Sequence, residues 1–236
     1  MLLAADRRYF PAVAAVLLLT VLVGFAPTWP LRAAFGQPAL PWTLHLHAAI
    51  LTAWFLLYLG QGLLIAIGSF RWHALCGAIG ILLGLAVVPA GLLAALCYAP
   101  RLQALNGPGH ATLDRVPLVA WGNIGMLAAF WLLLGWAIVR RRQPDWHMRL
   151  MLLASISIVG PALARFGRFP ALAGLTELPF LVGGTGLLLG SLALHDRRTR
   201  GRLHGASVSG SLLYAALLVA GLLVGASEAG RRAILG

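Results

Sequence analysis

Apolar residues in this chain run on rather than alternate with polar ones. Seven near-continuous apolar stretches, Tyr9–Ala26, Leu44–Ile67, Leu75–Ala99, Val116–Val139, Met148–Leu163, Leu178–Leu194 and Val208–Ala226, are separated by short polar clusters. A helix crosses the hydrocarbon core of a bilayer with about 20 predominantly apolar residues. The pattern therefore predicts an all-α, polytopic transmembrane helix bundle of about seven helices. No connection is long enough to divide the chain, so residues 1–236 are expected to form one transmembrane helical-bundle domain. Arg7 and Arg8 before the first stretch, with the small-residue site from Gly24 to Ala26, also fit a signal peptide whose removal would leave six helices. The segment Pro27 to Pro41 reads as an ordinary proline-punctuated loop, which favours a retained first helix.

Composition sharpens this picture. Hydrophobic residues make up 60% of the chain and charged residues 10%, which excludes a water-soluble domain. The 18 basic residues are all arginine and face six acids, for a net charge of +12. They sit between the apolar stretches, where they orient a membrane protein, and no basic patch with exposed aromatics suggests nucleic acid as a partner. With the N-terminus inside, eleven arginines face the cytoplasm (Arg7, Arg8, Arg71, Arg140, Arg141, Arg142, Arg149, Arg197, Arg198, Arg200 and Arg202) and seven face outward (Arg32, Arg101, Arg115, Arg165, Arg168, Arg231 and Arg232). The lysine-free, Ala-, Leu- and Gly-rich composition suggests a bacterial inner-membrane protein. Cys76 and Cys97 fall on one predicted helix about 30 Å apart and cannot pair with each other.

Candidate chemistry is confined to a few polar side chains inside the spans. His47, Trp54, Tyr58 and Gln61 lie within about 60° of one another on the second span, a stripe expected to face the interior because polar groups in lipid are costly. It reads either as helix-to-helix hydrogen bonding or as a path for a ligand, proton or cofactor. On the fifth span His147 and Arg165 are five helical turns apart, so one face would join both mouths, with Arg168 and Glu177 nearby. An arginine–glutamate pair closing a hairpin competes there with a functional reading. By depth the histidines form an outer layer, His45, His47 and His110, and an inner one, His73 and His147, while His195 and His204 read as loop residues. Imidazoles on different helices at one depth suit haem iron, and they also carry protons near neutral pH. The fourth span offers Asn123 at the depth of His47 rather than a histidine. His45 and His47 point about 200° apart on a helix; only if the helix began after His47 would both be able to join His110 at a copper or zinc site.

Glycines read as packing faces: Gly77, Gly84 and Gly91 on the third span, Gly221 and Gly225 on the seventh. Gly183, Gly184, Gly186 and Gly190 lack the strand-to-helix context of a phosphate loop, and no hydrolase or zincin motif is present. A faint repeat links Ala53-Trp54 through Gly60 to Trp72-His73 with Ala129-Phe130-Trp131 through Gly135 to Trp146-His147, each Trp-His pair opening a helix on the cytoplasmic side.

Trp146-His147-Met148-Arg149-Leu150-Met151, with the run from His47 through Trp54 to Gln61, resembles a group of bacterial multi-pass inner-membrane proteins. These pair a histidine and tryptophan on an early helix with a short loop ending in histidine and a later helix opening His-x-Arg-x-Met. The resemblance covers His45 to Arg165 and extends, more distantly, to b-type membrane cytochromes and oxidase-assembly membrane proteins. It implies a respiratory or cofactor-handling setting. In that setting His73 and His147 would be inner metal ligands or proton carriers and His47 the outer ligand. Trp54, Tyr58 and Gln61 would contact a haem b or quinone, and Arg165 would anchor an anionic group such as a propionate. Two other readings stay open: a small-solute or proton-coupled transporter lined by the His47 stripe and Arg165, and a structural or assembly subunit packed by its glycine faces against other membrane subunits.

Overall fold

The computed structural model describes residues 3–106, 111–169, 172 and 177–235, and these contain helices, turns and no strand. The helices are α1 (Ala4–Phe25), α2 (Trp42–Ala66), α3 (Phe70–Leu96), α4 (Tyr98–Asn106), α5 (Val116–Val139), α6 (Pro144–Ser157), α7 (Gly160–Ala164), α8 (Glu177–Arg200), α9 (Gly205–Ala226) and α10 (Glu228–Leu235). Six helices are long and apolar enough to cross a membrane, and the bent pair of α6 and α7 makes a seventh candidate. The chain is thus an all-α polytopic bundle. Large apolar side chains point outward along the long helices, among them Leu19, Leu82, Leu187 and Leu223. A face of that kind is stable against lipid chains and not against water.

Successive long helices run antiparallel. The N-terminus of α1, the α2–α3 and α8–α9 turns and the α5–α6 connection lie at one end, called here the N-terminal end. Both tight turns there contain a glycine with a left-handed backbone, Gly68 at φ 77° and Gly201 at φ 69°, a conformation that side chains with a Cβ rarely adopt. The core centres on α5 and α6, where Phe130, Leu133, Leu150, Leu152, Leu153 and Ile156 are fully buried. α9 packs most extensively against α5, where Gly221 and Gly225 let their backbones meet the Trp121 and Pro117 backbones directly. On α3, Gly84 and Gly91 likewise receive Leu134 and Leu127 of α5.

Two expectations are corrected. The Met148–Leu163 span is not one straight helix: it breaks after Ser157 and resumes at Gly160 with a 44° bend. Pro161 has no backbone N–H for the preceding turn and its ring disfavours a continuous helix, so the interruption falls where the chemistry requires it. The uninterrupted stripe from His147 to Arg165 therefore does not exist. His195 is not a loop residue either. α8 continues to Arg200, and His195 is 9% exposed because the polar side chains of its last turns find partners inside the bundle.

Candidate functional site

His73 and His147 are each the fourth residue of a helix, α3 and α6, at the N-terminal end. Packing brings the two echoing Trp-His pairs together, with imidazole centroids 6.4 Å apart and ring planes at 81°. His147 Nδ1 lies 2.9 Å from the Ala137 carbonyl oxygen. A carbonyl can only accept, so Nδ1 carries the proton and Nε2 keeps its lone pair. His73 Nδ1 is buried without a hydrogen-bond partner. Gln61 Oε1 is a second buried atom without a partner. Its Nε2 lies 3.9 Å from where a Cβ on Gly77 would sit, one turn along α3 from His73. Two imidazoles and a carboxamide from three helices thus share one end of the bundle with unused hydrogen-bonding capacity. Among the described residues no three His, Cys, Asp or Glu side chains converge as metal ligands. A metal here would have to bring most of its own ligands.

The α2 stripe faces inward. Trp54 is buried, its indole N–H donates to Ser155 Oγ at 3.2 Å, and Ser155 in turn donates to the Met151 carbonyl. Its ring meets Phe130 edge-on at 4.9 Å. Its polar atom is therefore spent on joining α2 to α6. Tyr58 is half-buried against the core. His47 sits near the other end, where its Nδ1 pairs with the Ala90 carbonyl oxygen at 3.0 Å. Seventeen residues of α3 separate Ala90 from His73, about 26 Å of helix. The structure brings His73, His147 and Gln61 together and leaves His47 in a separate layer. His45 is on the helix as well, and its Nδ1 accepts from the Trp29 indole N–H at 3.2 Å. His110 lies outside the described residues.

Arg165 stands at the end opposite His73 and His147, in the short turn after α7, with its guanidinium over the Phe25 ring at 4.0 Å. A group held between His73 and His147 lies out of its reach, whereas the His47 layer is at its own end of the bundle. Glu177 pairs with Arg168 at 2.5 Å and not with Arg165.

A buried ionic cluster at the N-terminal end was not singled out by the sequence reading. Arg149 has no solvent exposure and donates through Nε and Nη2 to Asp196 Oδ1 at 2.8 and 2.6 Å. Asp196 Oδ2 also accepts from Ser207 Oγ and the His204 backbone N–H. Asp6 Oδ1 is 2.8 Å from His195 Nε2, whose ring stacks on Tyr9 at 4.0 Å. Arg200 reaches both Asp145 and Asp6. Four helices, α1, α6, α8 and α9, are tied by this network. His204 caps α9 by accepting the Ala206 N–H on Nδ1, which requires a ring without a proton there. Burial, followed by the positive charge of Arg149, holds His204 below the ordinary imidazole range, in keeping with that role. The available signal was the position of Arg149 within the fifth apolar stretch, where an arginine needs an acid. Comparison with protein-family models, curated proteins and solved structures found no match.

Proposed function

We propose that this chain is an inner-membrane protein that binds a redox cofactor through His73 and His147, with a b-type haem as the occupant. One observation carries the reading: two imidazoles from different helices lie 6.4 Å apart at the same end of the bundle. An imidazole nitrogen is roughly 1 Å from its ring centre and metal–nitrogen bonds are about 2 Å, so two rings flanking one metal have centres about 6 Å apart. His73 and His147 would be the protein ligands of such a group. Haem iron, when bound, supplies one-electron transfer. The chain's own part is to aim the rings. The Ala137 carbonyl sets the His147 tautomer, and burial of His73 Nδ1 without a partner leaves it available as a ligand atom. The resemblance to b-type membrane cytochromes points the same way.

A quinone is the second reading, and the unpartnered Gln61 Oε1 favours it, because that acceptor would be satisfied by a quinol hydroxyl and gains nothing from an iron. The test is a reduced-minus-oxidised visible spectrum, with solvent extraction for quinone, on protein purified in mild detergent from haem-replete membranes. A b-type band that disappears in His147→Gln and His73→Gln, with helical content retained, is the expected result. A flat spectrum with quinone in the extract transfers the site to the second reading. A flat spectrum and an empty extract from folded protein overturn both.

A further inference from the structure

The chain contains six acidic residues, and each one is already engaged by a base. Asp6 faces His195, Arg149 and Arg200; Asp145 pairs with Arg200; and Asp196 pairs with Arg149. At the opposite end Asp114 pairs with Arg231, Glu177 with Arg168 and Glu228 with Arg232. Among the described residues no carboxylate pairs with Arg165. Its surroundings nevertheless hold it in place: the Phe25 ring backs the guanidinium, and Nη1 donates to the Pro161 carbonyl at 2.7 Å. Nε is buried and has no partner. The edge formed by Nε and Nη2 therefore presents two donors that no group among the described residues accepts. That edge is the one whose spacing matches two oxygens of a phosphate.

Leaving a charged donor buried and unmatched is costly, and a fixed fork is more demanding than a mobile arginine that reaches the surface on its own. The nearest charges to Arg165 are Arg168, one turn away, and the carboxylate of Glu177. Arg168 is already matched by Glu177, so the excess positive charge rests on Arg165.

We propose that the Nε–Nη2 edge of Arg165 binds a phosphate oxyanion at this end of the bundle. This site is independent of the His73–His147 pair. The same chemistry is offered by the phosphodiester of an anionic lipid and by free phosphate, and the experiment separates them. Thermal unfolding of the full chain is followed in neutral detergent against inorganic phosphate, with chloride at equal ionic strength as control. It is repeated in bilayers of phosphatidylcholine with and without phosphatidylglycerol. A saturable rise in Tm with phosphate in detergent identifies a soluble oxyanion. A rise only with phosphatidylglycerol identifies the lipid. In either case the rise is expected to vanish in Arg165→Gln and to persist in Arg101→Gln, an arginine at the same end whose guanidinium donates to the Ala39 carbonyl. Should Arg165→Gln fail to fold, Arg165→Lys decides: it keeps the charge but lacks the two-donor edge, and apparent affinity should fall at least several-fold. The proposal is overturned by a chloride response equal to that of phosphate, by no response to either anion source, or by an unchanged response in the Arg165 variant that folds.

Discussion

Arg149 shows how a single residue can govern this bundle. It is fully buried, and its two short contacts to Asp196 come from a helix forty-seven residues away in sequence. Removing one partner of such a pair leaves the other charge buried without compensation, which costs about 3–5 kcal/mol. Arg149→Met is therefore expected to lower the unfolding midpoint sharply in detergent, and adding Asp196→Asn should recover part of the loss. A single variant as stable as the parent would mean that the pair is not structural. By contrast, Trp54 was legible from sequence. Its place on a stripe with His47, Tyr58 and Gln61 put it inside, and it is 2% exposed. Facing inward is a property of periodicity, whereas having Asp196 as partner is a property of two helices meeting. For that reason His195 read as a loop residue: the sequence shows a polar run after Leu194, and only the facing Asp6 and Tyr9 explain why the helix carries on.

Among the elements, α5 and α9 pack against each other most extensively. A Cβ on Gly221 would strike the Trp121 carbonyl oxygen of α5, while one on Gly186 of α8 would meet nothing within 4 Å. Gly221→Val should destabilise the protein by about 1–3 kcal/mol through overpacking, and Gly186→Ala should leave stability unchanged or slightly raised because alanine is the better helix former. Paired thermal melts measure the difference; equal melts for the two variants would show that the α5–α9 seam tolerates an added side chain. The small-xxx-small spacing of Gly221 and Gly225 made this face recognisable beforehand, without revealing which helix it meets. The α6–α7 break was less legible. Pro161 was visible in the sequence, but prolines also occur inside helices here, Pro11 in α1 and Pro89 in α3, without ending them. What separates the cases is the turn each proline interrupts and the packing around it.

For the whole molecule, the arginine count proposes a direction. The eleven arginines assigned to the cytoplasm lie at the N-terminal end, together with the buried ionic cluster, and lysine or arginine in short loops is retained on the cytoplasmic side. With seven crossings the two termini are on opposite faces. A reporter active only outside the cytoplasm should then work when fused after α10 and fail when fused before α1. Activity at both termini or at neither would reject a seven-span arrangement.

The sequence by itself determined the class, the positions of the long apolar segments, the inward face of α2 and the glycine faces, because burial in lipid and close helix packing each demand a local pattern that reads out along one segment. The layering of His47 apart from His73 and His147 was also legible by depth; tertiary structure alone decided that His73 and His147 come within 6.4 Å and that Glu177 takes Arg168 and leaves Arg165 unmatched. It also decided that Asp6, Arg149, His195, Asp196 and Arg200 form one network. The physical reason is that pairing depends on depth and rotation of one helix against another. Those quantities arise from the packing of the whole bundle and leave no periodic trace in any single span.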